Sequence, residues 1–276
     1  MFRVTLALVL SYLVSSVWPQ FQPAPAAAGV SGPTHAKSNG NQPTPGTGTQ
    51  TRPAGRADGG HCDIGVIPIA GNLFWIEKLG PTTFNNTHVR AAADGWGLDD
   101  LVVSRVRAAA RGAAVQRIAF SREELARARG SASIFRSADS RMKDFARQVA
   151  AGTNCDRYVV VHRSTAGKPV FGIGVVKFVS LTDSRTFLFV LMHIVVYDGR
   201  TFELIKEGPA RNSDESLLAR AYLNPVGGPY RALDERSFPA SREEVAANPI
   251  LREGVRALLT ESLDKTLPGL LGKTSR

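Results

Sequence analysis

The spacing of apolar and polar positions changes period several times along the chain, and each change marks an element. Asp63 to Ile69 and Arg157 to His162 are short β-branched runs that predict buried strands, and Leu73 to Leu79 predicts a shorter one. After a loop through Asn85 and Trp96, Leu98, Leu101, Val102, Val106 and Ala109 recur at helical spacing, predicting a helix to about Ala110. A strand from Ala113 to Phe120 follows. Ser121-Arg-Glu-Glu124 is a capping-box signature that opens a short helical turn, and a longer helix is expected from Ser133 to Ala150, closing at Gly152.

Beyond Arg157 to His162 the pattern becomes strands alone. Val170 to Val179 and Phe187 to Tyr197 are long apolar or alternating runs, and Asp198-Gly199 reads as a hairpin turn before Phe202 to Ile205. A proline- and glycine-rich stretch from about Asn224 to Pro239 leads to Asn248-Pro249, an N-cap followed by a first helical residue. Leu251, Val255, Leu258, Leu259 and Leu263 then mark a final amphipathic helix. Alternating strands and helices followed by antiparallel strands predict an α/β (α+β) fold, with a mixed central sheet and two or three helices packed on it.

The head of the chain has a different character. Met1-Phe2-Arg3, an apolar stretch from Val4 to Val17 and the small residues Ala24-Pro25-Ala26-Ala27-Ala28 predict a secretory signal peptide over residues 1–28. The stretch is short of the roughly 20 residues that span a bilayer, so no transmembrane segment is expected once the signal is cleaved; an uncleaved signal would leave a membrane anchor. No cysteine follows closely enough to carry a lipid. Residues 29–60 are rich in Pro, Gly and Thr and predict a disordered tether, leaving 61–276 as a single domain. The expected location is periplasmic or secreted.

The chain has two cysteines, Cys62 and Cys155, each just ahead of one of the buried runs. If those strands lie side by side and parallel, their starts fall within disulfide reach. Charge is unevenly placed. Of 34 basic and 24 acidic residues, the domain holds 30 and 23, and residues 101–150 alone hold 11 against 4, which is the whole excess. Arg107 and Arg111 on the first long helix, and Arg136, Lys143 and Arg147 on the second, are expected to face outward. Most such arginines are simply solvated; the functional alternative is attraction to an anionic envelope surface or an envelope protein. Nucleic acid is not an expected partner, because no aromatic-interleaved basic motif occurs.

Catalytic and cofactor signatures are weak. The five histidines lack zinc-site spacing, there is no Gly-x-Ser-x-Gly elbow, and Gly172-Ile-Gly174 lacks the third glycine of a dinucleotide loop. Gly272-Lys273-Thr274 echoes a phosphate loop without its earlier glycine. Neither metal nor cofactor is expected. Two places deserve weighing as sites: the loop holding His88, Trp96 and Asp99, whose plainer explanation is helix-start chemistry and packing, and the strand histidines His162 and His193, able to meet across adjacent strands.

Ile64-Gly-Val-Ile-Pro-Ile69, the helix ending near Val115, Cys155-Asp-Arg-Tyr-Val-Val-Val-His162 and Val195-Val-Tyr-Asp-Gly-Arg-Thr201 occur in an order that resembles the N-terminal domain of the periplasmic protein TolB. The same order is similar to the core of the curli secretion lipoprotein CsgG and to lipoprotein activators of penicillin-binding proteins. The resemblance covers residues 64–205. It implies a non-catalytic cell-envelope binding or assembly module, and it supplies no active-site residues. The alternative is a periplasmic ligand-binding protein or enzyme with a site near Trp96, His162 and His193. The resemblance also implies that the two cysteine-led strands are parallel neighbours, and so a Cys62–Cys155 disulfide. The chain departs from the family in lacking a lipid-carrying cysteine and a following propeller, and in adding the hairpin-like Leu73 to Trp96 insertion.

Overall fold

The computed structural model describes residues 61–130, 137–164, 170–212 and 224–272. The signal peptide and tether expected over residues 1–60, the start of the helix expected from Ser133, and the Lys273-Thr274 pair lie outside them. The α/β class with mixed strand pairing is what the structure has, but the strands divide between two five-stranded sheets instead of forming one.

The first sheet contains β1 (His61–Ile69), β4 (Val115–Arg117), β5 (Asn154–Arg163), β8 (Met192–Asp198) and β9 (Leu204–Pro209), in the order β4-β1-β5-β8-β9. Strands β4, β1 and β5 are parallel, while β8 and β9 are antiparallel to their neighbours. In the second sheet, β2 (Leu73–Leu79), β3 (Thr87–Ala92), β6 (Ile173–Val179), β7 (Ser184–Val190) and β10 (Tyr230–Leu233) take the order β10-β7-β6-β2-β3. There only β2 and β6 are parallel.

Period-two alternation assigns each strand two faces. Ile64, Val66, Val159, Val161, Ile194 and Val196 of the first sheet meet Phe74, Ile76, Ile173, Val175, Leu188 and Val190 of the second in one core, completed by helices α1 (Leu98–Ala109) and α5 (Pro249–Leu271). The opposite face of the first sheet, with Ile67, Ile69, Tyr158, Val160, Val195 and Tyr197, is covered by α2 (Arg122–Gly130) and α3 (Ala138–Ala150). A short helix α4 (Arg242–Ala247) precedes α5. No helix among the described residues is long and apolar enough to cross a membrane.

Local chemistry explains the helix starts. Ser121 Oγ accepts from Glu124 N–H at 3.1 Å while Glu124 Oε2 accepts from Ser121 N–H at 2.7 Å, so both arms of the capping box form. Asn248 Oδ1 accepts from Leu251 N–H at 3.1 Å, and Pro249 begins α5.

Several expected elements differ: the loop expected through Asn85 and Trp96 contains strand β3, which carries His88, and the strand expected over Ala113 to Phe120 is only Val115–Arg117. Phe187 to Tyr197 is two strands in different sheets, because the backbone of Leu191 is taken by Gly172 O at 2.6 Å and Ser164 N–H at 3.0 Å, turning the chain across from one sheet to the other. The strand after Asp198-Gly199 starts at Leu204, not Phe202. Asp198 Oδ1 accepts from the N–H groups of Arg200 and Thr201, and the wider turn puts Phe202 at φ 57° with its ring stacked on Tyr158 at 5.0 Å. The strand expected from Val170 begins at Ile173, since Gly172 bends at φ 69°.

Candidate functional site

Cys62 and Cys155 are paired in register across β1 and β5, are buried, and form a disulfide with Cα atoms 4.4 Å apart. They tie the starts of two parallel strands beside α3.

Trp96 lies in the core between the sheets at 3 % exposure, its ring edge-on to Phe74 at 5.2 Å. Its carbonyl accepts from Arg256 Nη1 at 2.6 Å. The ring is not open to solvent. Asp99 accepts from Gly71 N–H at 3.0 Å. Burial pushes its carboxyl up from the usual range, against the opposing pull of that N–H and of the Arg117 and Arg163 charges. Asp94 and Asp100 form ion pairs with Arg122 and Arg117. His88, on β3, stands 3.5 Å from Glu77 of β2. Asp99 and Asp100 thus tie α1 to the turn after β1 and to β4, while Asp94 ties the loop to α2.

The arginines do not form one face. Arg107 and Arg111 are exposed, Arg111 just past the end of α1, which packs on the Ile64/Val66 side of the first sheet. Lys143 and Arg147 sit on α3, which packs on the Ile67/Ile69 side. Lys143 is half-buried. Arg147 donates to Thr201 O at 3.1 Å with its guanidinium 5.5 Å from the Phe202 ring centre, fixing α3 to the β8–β9 turn. Arg136 lies outside the described residues.

The strand histidines do come together. His162 and His193 are direct partners in the β5–β8 ladder, with ring centres 5.5 Å apart on the face under α2 and α3. His162 Nδ1 lies 3.0 Å from Arg163 O, and His193 Nε2 lies 3.4 Å from Glu207 Oε2 on β9. They border a cavity of about 510 Å³ beyond the carboxyl end of β5. Leu125, Ala128, Met142, Phe145 and Phe171 form its apolar wall. Its polar groups are the histidines, Arg163, Ser164, Glu207 and, from α3, Asp139 and Arg141. A smaller cavity of about 250 Å³ shares Ala128, Arg141 and Phe145 and extends toward Glu124, Asp144 and Gln148. Among the described residues no three His, Cys, Asp or Glu side chains are placed to hold a metal ion.

Nearby electrostatics fit this convergence. Burial, followed by the negative charges of Glu207 and Asp139, pushes the Tyr197 phenol up to about 12, so it stays protonated and neutral. Arg163 is 5 % exposed; it donates to Leu73 O at 3.2 Å and fills the space that side chains at Gly71 (φ 82°) and Gly172 (φ 69°) would take. The guanidinium thereby fills the bend after β1, and the aliphatic stem of the same side chain fills the bend before β6.

Arg163, Ser164, Phe171 and Glu207 give no separate signal in the sequence, and Asp139 and Arg141 read there only as surface charge. The one pointer is an ionisable residue at a strand end, as in the His162-Arg163 pair.

No family model matches the chain, and no curated protein matches it. Among solved structures it is similar to the PelC dodecamer from Paraburkholderia phytofirmans, at 11 % identity over 77 % of this chain and 89 % of that one, with a TM-score of 0.30. A Xanthomonas campestris protein of family model DUF330 is similar at 10 % identity, over 80 % of this chain and 87 % of that one, with a TM-score of 0.32. The LpoB C-terminal domain from Salmonella enterica is similar at 12 % identity over 56 % of this chain and 85 % of that domain, with a TM-score of 0.20.

Proposed function

We propose that the protein is an exported binding module of the bacterial cell envelope, periplasmic or secreted, and that it receives a ligand or partner segment in the cavity between α2, α3 and the β5–β8 strands. The observation that carries the reading is that cavity of about 510 Å³, with an apolar wall on one side and polar groups from β5, β8, β9 and α3 converging on the other. The apolar wall favours burial of an uncharged body, and the polar end orients it. The Cys62–Cys155 disulfide suits an oxidising compartment, as the signal-like head does. Because α1 and α3 lie on opposite faces, the cavity is a better seat for a partner than the arginine-rich helices.

The test is affinity capture from an envelope extract with the full chain, comparing wild type, the cavity-filling Leu125→Trp and the charge-reversed Arg107→Glu/Arg111→Glu. Capture should fail for Leu125→Trp in a folded protein and persist for the arginine variant. Loss on charge reversal with full capture by Leu125→Trp would return the role to the helical surface.

A further inference from the structure

Phe84 and Leu181 are the most exposed large apolar side chains among the described residues, at 97 % and 91 %. They share one end of the molecule. Strands β2 and β6 are parallel neighbours whose last registered pair is Leu79 with Phe178; Phe84 sits in the turn that follows β2 and Leu181 in the turn that follows β6. Adjacent strands are roughly 5 Å apart, so the tips form a pair of prongs.

Each turn is stiffened by its own polar groups. In the first, Asn86 Oδ1 accepts from Gly80 N–H at 3.0 Å, Asn85 Oδ1 accepts from Thr82 Oγ1 at 2.6 Å, and Thr82 O accepts from Asn85 N–H at 3.1 Å. In the second, Asp183 O accepts from Ser180 N–H at 2.8 Å and Ser180 Oγ accepts from Asp183 N–H at 3.0 Å. These bonds hold the turns in shape, with a side chain of high desolvation gain at each apex. Around the apices, Thr82, Thr83, Asn85, Asn86, Ser180 and Thr182 are polar and uncharged, and Asp183 is the one charged residue of the two turns. Behind them stand exposed Lys78, Lys177 paired with Glu235, and Arg185 paired with Asp183.

We propose that this end of the second sheet docks on an anionic lipid bilayer surface, with Phe84 and Leu181 entering the headgroup boundary side by side. Two convex tips lack the flat area of roughly 800 Å² that a stable protein partner needs on each side, whereas a deformable bilayer takes isolated apolar points. A mostly uncharged collar loses little on entering the interface, and the exposed Lys78 beside it matches anionic lipid. The inference stands apart from the cavity: it concerns attachment, at another sheet.

The experiment uses the full chain with vesicles of phosphatidylethanolamine and a minor fraction of phosphatidylglycerol. Phe84→Trp and Leu181→Trp each add an indole at a tip, and the emission they add over wild type should shift to the blue and be quenched by brominated lipid. Phe84→Ser/Leu181→Ser should lower vesicle co-sedimentation by about ten-fold or more. The first 60 residues are the same in every variant, so the added emission reports the tips whatever else touches lipid. Unquenched added emission overturns the proposal, as does unchanged co-sedimentation of the double-Ser variant. Concentration-dependent dimers in lipid-free solution, abolished by the double-Ser change, would assign the tips to a second copy and also overturn it.

Discussion

Replacing Glu77 by Gln should remove a pH dependence that one buried carboxyl builds into the fold. Glu77 sits on the outer face of the second sheet, on the same side of β2 as Trp75 and Leu79, with its side chain 3 % exposed. Its Oε2 has no hydrogen-bond partner among the described residues; His88 Nδ1 stands 3.5 Å away. Burial pushes the carboxyl from 4.5 to about 7. The unfolded chain releases this proton near pH 4.5, whereas the folded protein keeps it until near 7. Between those values the native state binds more protons than the unfolded one, so stability falls as pH rises through the window and levels off above it. A displacement from 4.5 to about 7, at 1.36 kcal/mol per pH unit, is worth about 3 kcal/mol at pH 8. Gln keeps the shape without ionising. Urea unfolding of wild type and Glu77→Gln should therefore show a stability difference that shifts by about 3 kcal/mol in favour of Gln between pH 4.5 and pH 8. Parallel pH profiles would refute the reasoning.

The Cys62→Ala/Cys155→Ala variant should lose about 4 to 5 kcal/mol in the chain-entropy treatment for a separation of 93 residues, read by the same titration; equal thiol labelling of native oxidised and reduced protein would show the bond to be missing. Trp96→Ala should cost about 3 to 5 kcal/mol through the cavity it leaves, with envelope capture intact at temperatures where the variant is folded. Asn248→Ala should lower thermal stability by about 1 kcal/mol through loss of the α5 cap, and Asn248→Asp should retain most of it.

Features set by a few neighbouring residues were legible before the fold was known. The Ser121/Glu124 box, the Asn248-Pro249 start and the two cysteine-led strands are such cases, since their chemistry closes within one turn or one strand. The division into two sheets was not. Phe187 to Tyr197 contains no Gly, Pro or turn pair, and its break at Leu191 comes from bonds to Gly172 and Ser164, set by tertiary contacts. Strand β10 and helix α4 are only four and six residues long, too short to establish a period. The His162–His193 pair could be anticipated as cross-strand neighbours, but Glu207 joins it only once β9 is paired to β8, and Asp139 and Arg141 only once α3 has been assigned to a face.

That assignment follows from strand order and handedness. From β1 the chain passes through α1 to β4 on one side, and from β4 it returns through α2 and α3 past β1 to β5 on the other; all three strands are parallel. Crossovers between parallel strands are right-handed, so two crossovers running in opposite directions must place their helices on opposite faces of the sheet. The observed cores agree: α1 packs against Val66 and Val159, α3 against Ile67 and Val160. The same rule prevents Arg107 and Arg111 from joining Lys143 and Arg147 in one basic surface. It also sets α3, with Asp139 and Arg141, over the face that bears His162 and His193. A charge excess concentrated in 50 residues of sequence is split by topology, and the polar residues gathered in its place come from strands and a helix far apart in the chain.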